Sequence, residues 1–161
     1  MDKLKAIVRA KPTWVVLLIF SYILILGVLK WRLTPDSTTV YYLLGGLFGV
    51  YFLDVAEVIF DIRPSPFRSM LFVVLFCVVS FFVVTSSGSM FASGLVLSLY
   101  FSLLLLQAED WQRDNNLNSW FAWFSLVREP PTVKIQQICV IAFSVFLMFE
   151  TLLFIRSGMY L

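Results

Sequence analysis

Residues 40–60 read VYYLLGGLFGVYFLDVAEVIF. No charge interrupts this stretch before Asp54. The hydrocarbon core of a bilayer is about 30 Å thick and takes about 20 helical residues to cross. Lipid offers the backbone no hydrogen-bond partners, so a segment crossing it must bond to itself, and a helix does so. Four more apolar runs flank this one: Trp14–Leu29, Ser69–Val84, Met90–Leu106 and Ile135–Ile155. The shorter ones are accommodated by tilt or local thinning of the bilayer. The expected fold is all-α: a polytopic membrane protein, a bundle of five transmembrane helices plus a short amphipathic interfacial helix. One domain covers residues 1–161, with spans at about 14–30, 40–60, 68–85, 89–107 and 135–156 and the interfacial helix at about 117–128.

Composition agrees with this reading. The chain is 60% hydrophobic and 14% charged, with a mean hydropathy of +0.91. Soluble domains are about 45–50% apolar and about 25% charged. The longest polar stretch, Gln107–Lys134, is too short for an independent fold. A net charge of +2, with no basic helix, excludes nucleic acid as the expected partner. Histidine is absent, which removes imidazole-based metal sites, bis-His haem ligation and imidazole catalysis. Cys77 and Cys139 both fall inside expected spans and lack C-x-x-C spacing, so they read as small hydrophobes. No cofactor, no metal site and no catalytic residue is expected. The serines inside spans have no placed base and are expected to bond to a helix backbone.

Basic residues orient the chain. With the N-terminus inside, the inner segments carry Lys3, Lys5, Arg9, Lys11, Arg63, Arg68, Arg113, Arg128 and Lys134, against Lys30, Arg32 and Arg156 outside. The expected location is the plasma (inner) membrane, N-terminus cytoplasmic and C-terminus outside. The basic N-terminal segment leads into an apolar core with no small-x-small cleavage site, so it reads as an uncleaved first span. Trp14 and Trp31 bracket that span as interfacial anchors. Arg63-Pro64-Ser65-Pro66 ends the second helix, and Thr85–Ser89 makes a hairpin of the third and fourth.

In the long inner segment, Leu117, Trp120, Phe121, Phe124 and Val127 share one helical face, stopped by Pro130 and Pro131. With Trp111 and Trp123, these aromatics are expected at headgroup level. The alternatives are a face that docks a partner or a plug beneath the bundle.

Two small-residue faces stand out. Gly45 and Gly49 are spaced for close helix approach, and Gly94, Ser98 and Ser102 repeat every fourth residue. At 100° per residue, Asp54 sits about 180° from Gly45, so the second helix is expected at the centre, with glycines on one side and carboxylates on the other. Asp54, Glu57 and Asp61 share a face, and Glu109 and Asp110 are expected at a similar depth. Ionisable groups in a span are costly and attract functional hypotheses. Asp54, Glu57, Glu109 and Asp110 could pair with nearby arginines, hold a cation or proton for transport, or hold Mg²⁺ for catalysis. Glu150 lies nearer the outer end, where Lys30 and Arg32 could pair with it.

The expected function is that of an integral membrane subunit or scaffold. It would act through helix packing as a homo- or hetero-oligomer with other membrane proteins in the lipid bilayer. One bundle is not expected to use both small-residue faces internally. The alternatives are a small oligomeric transporter or channel using the inner carboxylates, and a metal-dependent lipid-modifying enzyme.

Overall fold

The computed structural model describes residues 12–32, 36–60, 65–122 and 130–157, and for residues 59 and 60 the description is of backbone. The helices are α1 (Thr13–Trp31), α2 (Ser37–Phe60), α3 (Met70–Ser86), α4 (Met90–Asp114), α5 (Asn118–Phe121) and α6 (Val133–Ser157), with no strand among the described residues. Four of them, α1, α2, α4 and α6, are long and apolar enough to cross a membrane. The run Ser69–Val84 also forms a helix, α3, but it has 17 residues. At 1.5 Å per residue it is about 26 Å long.

Local chemistry sets the boundaries. Ser69 caps α3 by accepting the Phe72 N–H at 3.2 Å, while its hydroxyl donates to the Pro66 carbonyl at 2.7 Å. Ser89 caps α4 by accepting the Ala92 N–H at 3.2 Å. Each bond satisfies a donor that the first turn of a helix leaves open. Gly88, at φ +62°, makes the short α3–α4 turn possible. Arg32 and Asn115 end α1 and α4 in the left-handed conformation, and their N–H groups return to Val28 O and Trp111 O at 2.9 Å.

The centre of the bundle is α4, not α2. Helix α4 packs against α1, α2, α3 and α6, whereas α2 packs against α1 and α4. Small residues explain the correction. Gly94, Ser98 and Ser102 narrow α4 on the side toward α2, while Leu97, Leu99, Tyr100 and Leu103 fill its other contacts. A helix buried around most of its circumference is a central one.

Polarity runs inside out. The interior holds Ser80, Ser98, Ser102, Gln107, Gln136 and Glu150, all buried. The surface exposes Leu17 and Ile25 on α1, Leu44 and Phe48 on α2, Val78 and Phe82 on α3, and Ile138, Val145 and Met148 on α6. Monomers in water rarely expose apolar patches larger than a few hundred Å².

Candidate functional site

The inner carboxylates do not gather. Glu57 pairs with Arg68, whose Nε donates to Oε1 at 3.1 Å and whose Nη2 donates to Oε2 at 3.5 Å. Asp110 accepts from Arg113 Nη2 at 2.8 Å on one oxygen and from Trp120 Nε1 at 2.8 Å on the other. Arg113 also donates to Asp114 at 3.2 Å. Glu109 is exposed. Asp54 is buried at the edge of the packed face of α2, next to Val50, which meets Val15 and Ile19 of α1. By its helical angle it lies on the side of α2 away from Gly45. Asp61 lies outside the described residues. Among the described residues, no three acids or cysteines come close enough to hold a metal. Two of the four expected site residues are therefore engaged with arginines, the outcome expected when such acids are structural.

The two small-residue faces pack against each other. A Cβ at Gly45 would run into the Phe91 carbonyl, one at Gly49 into Ser98 Oγ and the Leu95 carbonyl, and one at Gly94 into the Tyr42 carbonyl. Gly46, one residue round α2, faces Ile23 of α1. The seam between α2 and α4 is thus closed by backbone against backbone. The expectation that one bundle would leave a face free is overturned, because α2 and α4 run in the same direction with their small residues level.

The interfacial aromatics divide. Trp14 is exposed, and Trp31 packs beside Tyr42 with ring centres 5.4 Å apart. Trp111 and Phe121 are half-buried. Leu117 and Trp120 are fully buried in the core, at the end of the bundle where α4 stops and α6 begins. Described helix in this region is limited to Asn118–Phe121; Trp123 and Phe124 lie outside the described residues. Trp120 is a plug rather than a headgroup anchor. Its indole N–H needs an acceptor once buried, and Asp110 provides one. Gln136 on α6 secures the same segment: its Oε1 accepts the Leu117 N–H at 2.6 Å, and its Nε2 donates to Asn118 Oδ1 and Pro131 O at 2.7 and 2.8 Å.

A second polar set lies along the inward face of α6. Glu150 is 0% exposed, and its Oε1 is 2.8 Å from Ser80 Oγ of α3. Tyr22 of α1 meets Thr151 Oγ1 at 2.6 Å. Tyr100 of α4 donates to the Phe143 carbonyl at 3.0 Å and lies 3.0 Å from Cys77 Sγ. Lys30 does not pair with Glu150. Its ammonium donates to Phe154 O at 2.9 Å and Ser157 Oγ at 3.0 Å, and stands 3.8 Å from the centre of the Phe154 ring. A cation on the last carbonyls of α6 meets the negative end of the helix dipole, which draws it there. The sequence marked Glu150, but not its partners. Ser80, Tyr100 and Tyr22 are ordinary residues of apolar helices until α1, α3 and α4 converge on α6.

No family model, no curated protein and no solved structure matches this chain.

Proposed function

We propose that the chain is an integral membrane subunit or scaffold with five crossings, and that it acts by packing against other membrane proteins or further copies of itself. The observation that carries this reading is the inside-out polarity. The polar side chains face one another, and the surface left for partners is aliphatic and aromatic. Such a surface is at home among acyl chains or other membrane helices. A groove of about 460 Å³ along α2, lined by Leu44, Phe48, Phe52 and Phe91, is part of that surface. The fifth crossing, α3, needs the bilayer to thin locally or the helix ends to sink. The N-terminus is cytoplasmic and the C-terminus outside, in the plasma membrane, from the distribution of lysine and arginine.

Transport through the inner carboxylates has less support, because Glu57 and Asp110 are held by arginines and Glu109 is exposed. A metal-dependent enzyme has less still, because the acids do not converge.

The test combines crosslinking with substitution. Single cysteines at Leu47 or Phe48, in the full chain in native membranes, should crosslink to a second copy or to a distinct membrane protein. The pair Asp54→Asn with Glu57→Gln should leave that crosslinked species intact. Monomers at every outward position would overturn the reading. Loss of an ion flux in a folded double variant would move it to transport.

A further inference from the structure

A groove of about 400 Å³ runs between α4 and α6, near the end of the bundle where α4 stops and α6 begins. Trp111 on α4 and Val140 and Ile141 on α6 give it apolar walls, and Gln107, Gln112 and Gln137 line it with carboxamides. Its size falls within the range of about 300–1,000 Å³ usual for sites that hold a small molecule. No charged side chain lines it.

Gln107 is the one of these residues whose place the packing of the bundle does not explain. It is 0% exposed and stands at the back of the groove. Its Nε2 donates to Met70 Sδ of α3 at 4.0 Å, and a thioether is a weak acceptor. Its Oε1 is buried and has no hydrogen-bond partner among the described residues. Turning the amide over would set the oxygen against the sulfur, acceptor against acceptor, and leave the nitrogen idle instead. An idle acceptor out of water costs free energy that a leucine of similar size would not. A donor from outside the chain, seated in the groove, removes that cost.

The lining selects the donor. An ammonium or phosphate brought here would meet neutral amides and apolar side chains without a counter-charge, and its desolvation would cost far more than one hydrogen bond returns. A hydroxyl costs less to bury, and carboxamides both donate to it and accept from it. Hydrocarbon attached to that hydroxyl would lie over Val140 and Ile141 and continue along the exposed Val145 and Met148 of α6.

We infer that this groove is a binding site for a neutral lipid with a free hydroxyl where its polar end joins its chains, of the diacylglycerol kind. Gln107 Oε1 accepts from the hydroxyl, and Trp111, Val140 and Ile141 pack against the chains. The inference rests on the membrane reading above but not on the scaffold role, whose crosslinks are sought at Leu47 and Phe48 on α2.

The test places the full chain in phosphatidylcholine nanodiscs and uses diacylglycerol with a diazirine in one acyl chain as the probe. On irradiation it should label the peptide that contains Val140 and Ile141. The methyl ether of the same probe should label that peptide about fivefold less, the ratio that one hydrogen bond of ordinary strength provides. A diazirine phosphatidylcholine sets the level for lipid that merely touches an outward face. Gln107→Leu should fold as the wild type does and bring the alcohol down to the level of its ether. Val140→Trp, which fills the groove, should bring both down to the phosphatidylcholine level. Should Gln107→Leu not fold, the alcohol against its ether in the wild type decides. Equal labelling by alcohol, ether and phosphatidylcholine overturns the inference, as does a preference for the alcohol that survives Gln107→Leu, or no labelling at all. A chain that stays out of the nanodiscs overturns the membrane reading, and this inference with it.

Discussion

Gly45 and Gly49 carry more of the architecture than any charged residue, because the space beside them is filled by backbone. Nothing in the Phe91 or Leu95 carbonyl can rotate out of the way of a methyl group. Gly45→Ala and Gly49→Ala should each cost about 1–3 kcal/mol through overpacking. Gly27 is the control. A Cβ there would meet the Tyr42 ring at an ordinary 3.7 Å, so Gly27→Ala should be neutral or stabilise by up to about 1 kcal/mol. Thermal unfolding in detergent, read as the monodisperse fraction after heating, separates the two classes. At Asp110 the two oxygens have different worth. The Arg113 contact is solvent-exposed, and such pairs contribute about 0–1 kcal/mol. The Trp120 indole is buried and has this acceptor. Asp110→Asn keeps an oxygen for the indole and should cost little, whereas Asp110→Ala strands the N–H and should cost about 1–3 kcal/mol. Equal losses in the same unfolding assay would show that the charge, not the indole bond, matters.

Among the elements, α4 and the single turn α5 depart furthest from what their sequences suggest. Helix α4 carries serines and a glycine that read as a packing face, but it takes the central place expected of α2. Those residues make it thin enough for α2 to lie close while Leu97 and Leu103 fill the remaining space. The turn α5 reads as an amphipathic anchor because it is rich in tryptophan and phenylalanine. It closes the inner end of the bundle, with Trp120 and Leu117 at 0% exposure. Trp120→Ala should therefore cost about 3–5 kcal/mol, the range for a large aromatic removed from a core. An anchor at the headgroups would lose membrane association and little stability. The melting temperature and the membrane-bound fraction of this one variant tell the two apart.

For the whole molecule, the apolar exterior and the lysine and arginine distribution make a statement about sidedness. Ser87, in the turn between α3 and α4, and Thr132, just before α6, are both exposed and lie at opposite ends of the bundle. In intact cells, Ser87→Cys should react with a membrane-impermeant thiol reagent, and Thr132→Cys should react after permeabilisation alone. The reverse pattern would invert the topology, and equal labelling of both would contradict the crossing of α4. The five apolar runs and their helical state were legible from residue order because they depend on local composition and on neighbours a few positions away. The inner carboxylates were legible as a group by depth. Their separation was not, because Arg68 and Trp120 reach them through folds of the chain that spacing does not encode.

Residue order by itself determined that this chain is a set of apolar helices, since backbone hydrogen bonding and transfer out of water act on each segment alone. Tertiary structure alone decided that α4 is the hub, that the glycine and serine faces close on each other, and that Glu150 meets Ser80. Helical periodicity gives the direction of each side chain about its own axis, but which neighbour stands in that direction depends on how the helices pack together.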